Sequence, residues 1–151
     1  MKRCVAKIFI LSAMLGAGSI GAFAAEPCGL IKTVTGSARV ERGAQVIPVV
    51  VGLAVEPKDR LVTNATGTVG ITLQDDTLLA MGPGSALVVE SFAFDKTTHE
   101  GNIAVRVTVG ALRVVTGLIA KHSPPSLKVY TPNAVVGVRG TDFIVDVPAN
   151  D

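Results

Sequence analysis

From Leu30 onward, apolar and polar positions alternate with period two in one run after another, and turn residues interrupt about every ten positions. Residues 30–42 set Val34, Ala38 and Val40 against Thr35, Ser37, Arg39 and Glu41, with Gly36 as a bend or bulge. Arg42-Gly43-Ala44-Gln45 turns the chain into an apolar run over residues 46–51. Pro48 marks that run as an edge strand, because proline has no N–H to give to a ladder. Glu56-Pro57-Lys58-Asp59 is a tight polar turn leading to a strand at Leu61. Residues 68–73 place Val69, Ile71 and Leu73 on one face. Gln74-Asp75-Asp76-Thr77 then turns into Leu78-Leu79-Ala80-Met81, the clearest hairpin in the chain.

Gly82-Pro83-Gly84-Ser85 punctuates again, and the alternation resumes from Leu87 through Phe92 and Phe94. A polar loop is expected over residues 96–102. Ile103, Val105, Val107 and Val109 then share a face, Gly110 breaks the run, and 111–115 continues it. Residues 116–126 read as a second loop, followed by strands at 127–130 and 143–147. No helical period survives outside the N-terminus. The pattern predicts an all-β domain, an irregular β-solenoid or twisted β-roll of short strands with no helices outside a leader. Glycine-started units recur at Gly36, Gly67, Gly84 and Gly110, but the spacings of 31, 17 and 26 exclude a strict short-period coil.

Composition agrees with that pattern. Apolar residues make up 48% of the 151 positions, yet aromatics are only 4% and Trp is absent, so the core must be aliphatic. The first residues stand apart. Lys2, Arg3 and Lys7 precede an apolar stretch from Ile8 to Leu15, and Ala22-Phe23-Ala24 supplies the small-x-small site of a secretory signal peptide, with cleavage expected after Ala24. The 18 uncharged residues from Ile8 to Ala25 barely reach a membrane span, so membrane contact is expected only if this leader stays uncleaved. Export places the mature chain in the periplasm or outside the cell. Without the three leader cations, 11 basic residues face 12 acidic ones, which argues against nucleic acid as a partner. Cys4 leaves with the leader. Cys28 remains, either an inert thiol or half of an intermolecular disulfide.

The most distinctive stretch is Thr131-Pro132-Asn133-Ala134-Val135-Val136-Gly137-Val138-Arg139-Gly140-Thr141-Asp142-Phe143. It reads as a closing strand with a kink. Here, and at Gly36-Ser37-Ala38-Arg39-Val40, Asp59-Arg60-Leu61-Val62-Thr63, Val69 to Leu73 with Asp75-Asp76-Thr77, Gly82-Pro83-Gly84-Ser85 and Gly110-Ala111-Leu112-Arg113, the chain resembles the FecR domain family of bacterial cell-envelope proteins. The resemblance implies a leader at 1–24, a lead-in at 25–35, a FecR-like β-domain over 36–147 and a tail at 148–151. Lys58 and Asp76 stand where the family usually has glycine. The resemblance also implies a periplasmic or envelope protein partner, an outer-membrane receptor being one such partner in the family, and a role in signalling or scaffolding rather than catalysis.

Arg139, Thr141 and Asp142 are the candidate binding residues. Thr131, Pro132, Gly137, Arg139, Gly140, Thr141 and Phe143 form the structural motif, with Arg139 read as a clamp onto loop carbonyls, Asp142, Asp75 or Asp76. Asp75-Asp76 reads as a solvated turn. His99 and His122 lie in separate loops with no ligand-spaced partner, so no metal and no cofactor is expected. No nucleophile elbow surrounds Ser123 or Ser126, and no catalytic residues are assigned. The alternative function is a domain that binds envelope glycan or a small ligand through loops 96–102 and 121–126. Its weakness is the shortage of aromatics, since sugar sites usually stack on Trp or Tyr and only Tyr130 is available.

Overall fold

The computed structural model describes residues 25–139 and 142–149. The expected leader, its cleavage site, and Gly140 and Thr141 of the closing motif lie outside the described residues. Twelve strands follow in chain order: β1 (Gly29–Thr35), β2 (Ala38–Arg42), β3 (Gln45–Pro48), β4 (Ala54–Val55), β5 (Arg60–Thr63) and β6 (Thr68–Leu73), then β7 (Leu78–Met81), β8 (Ala86–Phe94), β9 (Gly101–Val115), β10 (Leu127–Tyr130), β11 (Val135–Gly137) and β12 (Asp142–Val147). They form one sheet curled into a half-barrel.

The all-β expectation holds, but the strands do not stack as successive coils. The curl makes two walls with an aliphatic core between them. The front wall runs β4-β1-β6-β7, then the second half of β9, then β12. The back wall runs β3-β2-β5-β8, then the first half of β9, then β10 and β11. Every pairing is antiparallel except β9 with β10. The alternation in the sequence becomes a two-sided wall, with Ile31, Ile71, Leu79 and Leu112 facing Val40, Leu61, Leu87 and Val105 across the interior.

The recurring glycines mark the corners where strands pass between walls. Gly36-Ser37 bends β1 into β2, residues 64–67 bend β5 into β6, residues 82–85 bend β7 into β8, and Gly110 bends β9 without breaking it. These corners sit side by side and bond to one another. Asn64 N–H donates to Ser37 O at 3.0 Å and Gly84 N–H to Asn64 O at 2.8 Å. Thr63 Oγ1 donates to Gly82 O at 2.7 Å and accepts Ser85 N–H at 2.8 Å. Ser85 Oγ in turn accepts Ala111 N–H at 3.1 Å. Gly110 has φ +87°, and a Cβ placed there would strike Ser85 Oγ, so glycine is required for both space and conformation.

The loop expected over 116–126 contains a short helix, α1 (Leu118–His122), and a 3-10 turn at Pro124–Ser126, which corrects the expectation of no helices. Its anchor is the Asp75-Asp76-Thr77 turn. Asp75 is fully buried, not solvated as the sequence suggested. Its carboxylate accepts Thr77 Oγ1–H at 2.7 Å and Ile119 N–H at 3.4 Å, and its carbonyl accepts Leu118 N–H at 2.7 Å. Only Asp76 remains exposed. A five-residue helix cannot stand alone; this one forms because Asp75 and Thr77 hold its first turn and Ile119 is buried beneath it.

Candidate interaction surface

The closing motif does not make one strand. Thr131 to Ala134 form a turn, with Ala134 N–H donating to Thr131 Oγ1 at 3.0 Å, and Pro132 exposed at its tip. Val135–Gly137 then becomes β11 at the edge of the back wall. After Val138, which is buried, the chain crosses to the front wall and becomes β12. Phe143 packs partly into the core, as do Val145 and Val147.

Arg139 is exposed and makes no ion pair or hydrogen bond with the described residues. The expected clamp onto Asp142, Asp75 or Asp76 is therefore not what the structure contains. Asp142 is held instead by Arg113, whose Nε donates to Oδ1 at 3.0 Å and whose second guanidinium nitrogen donates to Oδ2 at 2.5 Å. This bond holds the Asp142 carboxyl below its ordinary range and raises Arg113. The pair lashes β12 to β9.

A stronger clamp lies in the Asp59-Arg60-Leu61-Val62-Thr63 stretch. Asp59 is 1% exposed, and Arg42 grips both its oxygens, at 2.8 and 2.6 Å. Arg42 also donates to Glu56 at 2.7 Å and to Ala54 O at 2.9 Å, and Glu56 N–H closes the turn onto Asp59 at 2.8 Å. The Asp59 bond raises Arg42 above the ordinary guanidinium range. Such a bidentate, enclosed pair fixes geometry. Its one signal in the sequence is the Glu-Pro-Lys-Asp turn, and nothing there points to Arg42.

Cys28 also sits inside. It is fully buried in the core and its thiol donates to Val55 O at 3.2 Å. Burial pushes its pKa up to about 12. That is the environment of an inert thiol. The two histidines, far apart in sequence, are neighbours in space: His99 lies edge-on to His122, with ring centroids 6.5 Å apart, and stacks on Phe94. No third metal-ligating side chain joins them among the described residues. Tyr130, the ring available for a sugar, is covered by the Arg106 guanidinium at 5.3 Å.

The outward faces of the two walls differ in kind. On the back wall, ion pairs run along the surface: Arg39 and Arg60 on Glu41, and Arg106 on Glu90. On the front wall, the register aligns Leu30, Thr72, Leu78, Val115 and Asp142 in one row across β1, β6, β7, β9 and β12. The next row is Thr33, Gly70, Ala80, Arg113 and Ile144. Leu30 is 41% exposed, Leu78 44% and Ile144 68%. A groove of about 220 Å³ lies among Thr33, Gly70, Thr72, Leu78 and Ala80, because the small side chains of that row leave room there. An aliphatic face with a groove and one rim ion pair can dock apolar side chains.

No helix of the described residues is long and apolar enough to cross a membrane. No curated protein and no solved structure matches the chain. The profile of the family described as FecR protein matches residues 59–151, from the buried Asp59 turn through the closing motif. Strands β1 to β4 precede that range and complete both walls. With more than half its length matched, the chain belongs to the FecR family.

Proposed function

We propose that this protein is an exported, non-enzymatic FecR domain that acts by binding another protein in the cell envelope, as a signalling or scaffolding module. Membership of the FecR family supports a signalling-related role. The observation that carries the docking part is the contrast between the walls. The back wall pairs charges on its central strands and exposes Val46 and Val135 at its edge strands, whereas the front wall exposes Leu30, Leu78 and Ile144 across its width, with Leu78 lining a groove. Exposed aliphatic side chains grouped on one face beside a groove mark interaction sites in soluble proteins. Leu78 occupies the middle of the face, where the residues that dominate binding energy concentrate.

The test is affinity capture from bacterial envelope extract, with wild type and Ile144→Lys as baits. Recovery of a defined envelope protein by wild type, lost with Ile144→Lys, is the expected result. Equal recovery by both baits overturns the assignment of the site. Recovery of peptidoglycan in place of protein overturns the reading itself.

A further inference from the structure

The outer edge of β12 is open, and we infer that it takes an extended segment of another envelope protein as an added strand. The segment carries aliphatic residues along its length and a lysine or arginine at the level of Asp146. The inference rests on the protein-binding reading given above and places the contact at the Ile144 rim of the same face. Among the described residues β12 pairs with β9 alone, and no strand covers its other side. It is the longest of the outer strands, with six residues against four in β3, three in β11 and two in β4. An edge of that length is a template for a further strand.

The register identifies the backbone groups on that open side. Gly82 N–H donates to Ala111 O at 2.9 Å, so Ala111 directs its groups to the β7 side of β9. Along an antiparallel strand the direction alternates. Arg113 and Val115 therefore also face β7, while Leu112 and Val114 face β12, opposite Val145 and Phe143. It follows that Phe143 and Val145 bond to β9, and that the N–H and C=O groups of Asp142, Ile144 and Asp146 point to the side no strand covers. On β3 an outward position of this kind holds Pro48, which has no N–H to give. The middle outward position of β12 is Ile144, which has one.

Side chains on β12 select the occupant. Phe143 and Val145 lie half-buried on the inner side, so aliphatic residues set beside them cover what the half-barrel leaves open. On the outer side Ile144 is 68% exposed, between Asp142 and Asp146. Arg113 holds Asp142, but Asp146 is exposed and has no ion pair among the described residues. A basic residue opposite Asp146 supplies the missing partner. A second copy of β12 fits poorly: antiparallel pairing over the whole edge centres on Ile144 and sets Asp142 of each copy opposite Asp146 of the other. Like charges directly opposite are destabilising, so the segment comes from a different protein.

Amide hydrogen exchange by NMR on the purified full-length protein is the test. The probe is a synthetic peptide with Lys-Val-Ile-Val-Thr at its centre, the order that sets lysine opposite Asp146 and isoleucine opposite Ile144 in an antiparallel strand. Saturating peptide is expected to slow exchange at Ile144 and Asp146 by at least about tenfold, and to leave Val51, on a turn away from this edge, unchanged. Ile144→Pro removes a donor on the open side and weakens binding at least about tenfold more than Ile144→Ala, which keeps it. Melting curves report whether the proline variant folds. If it does not, Asp146→Lys carries the test: it rejects the lysine peptide and takes one with glutamate in that place. No slowing at Ile144 and Asp146 overturns the inference. So does equal binding by the folded proline and alanine variants, or an Asp146→Lys variant that still prefers the lysine peptide. If strand addition fails while wild type still captures an envelope protein that Ile144→Lys loses, the docking reading stands alone. If that capture fails too, both fall.

Discussion

Lys58 is the position where a single substitution tests the backbone account most directly. It adopts φ +76° in the turn between β4 and β5, a left-handed conformation that costs an ordinary L-residue about 1–2 kcal/mol. Its backbone N–H donates to Val89 O at 2.7 Å, so the conformation is held by a bond between β8 and the turn and cannot relax freely. Its side chain is exposed and makes no hydrogen bond or ion pair among the described residues. Lys58→Gly removes the steric cost and keeps the N–H bond. It adds about 0.5–1 kcal/mol of entropy to the unfolded chain. The difference is a gain of about 0.5–1 kcal/mol, which for a domain of this size raises Tm by about 2–5 °C. Thermal melts by circular dichroism and urea titrations read it, with the m-value unchanged because no surface is gained or lost. Lys58→Asn should fall between glycine and wild type, and Lys58→Val should melt lowest, since β-branched residues tolerate positive φ least. A Tm that falls on Lys58→Gly, or a series in which valine outranks glycine, would refute the reasoning. Asp76, at φ +64°, should gain less from the same change, because aspartate enters this region more readily.

Three other perturbations follow from buried groups. Asp59→Ala takes the bidentate partner from Arg42 in the turn beneath β5 but leaves Glu56 on the partly exposed guanidinium, and should cost about 1–3 kcal/mol by chemical denaturation; a loss under about 1 kcal/mol would show that solvent replaces the carboxylate. Cys28 should resist alkylation at pH 8 until the protein unfolds, and non-reducing electrophoresis after mild oxidation should give no dimer band. Its thiol also makes stability depend on alkaline pH: with an ordinary value of 9.0 and a folded value of about 12, its contribution is intact below pH 9 and is lost as pH rises toward 12. Removing the thiol by Cys28→Ala should flatten that alkaline slope in urea titrations. Gly110→Ala meets both Ser85 and a forbidden φ, so it should destabilise by more than 1 kcal/mol and disturb the corner bonds of Thr63 and Ser85 before those of the strand ends, as hydrogen exchange would read.

The strands were legible because each buries one side only. Residues such as Val69, Ile71 and Leu73 alternate with Gly70 and Thr72, and that period survives whichever neighbour the strand acquires. What the alternation cannot carry is where a strand bends. Residues 101–115 read as two runs divided by Gly110, yet the pairing on both sides carries one strand through the glycine and changes its wall. Asp75 was misread for a related reason. Its neighbours Gln74 and Asp76 are exposed, and only the arrival of α1, more than forty residues later, covers its carboxylate. His99 and His122 illustrate the same limit, since the contact depends on two loops meeting. Arg139 attracted notice through its glycine-flanked setting, but the arginines that hold carboxylates among the described residues are Arg39, Arg42, Arg60, Arg106 and Arg113, in unremarkable β contexts.

Where the protein is guarded helps to decide where it is open. The apolar run at residues 46–51 lies at a sheet edge, and Val46 and Val51 are each 65% exposed. Yet Val49 N–H donates to Ala38 O, and antiparallel ladders alternate, so Pro48 falls where its nitrogen faces outward. An added strand would meet a missing donor at the last residue of a four-residue edge, and the chain then leaves the edge through the turn that Leu53 N–H closes onto Val50 O. That is the pattern by which edges are protected from pairing. At the other end of the sheet, β4 offers only two residues. The front face has no comparable defence: no proline, and among the described residues a single ion pair, that of Arg113 with Asp142. The back wall shows that the same fold tolerates charges on its outer strands, so the apolar front is a property of this sequence rather than of the architecture. A face left apolar in a molecule that guards the β3 and β4 ends of its sheet is best explained by something that covers it.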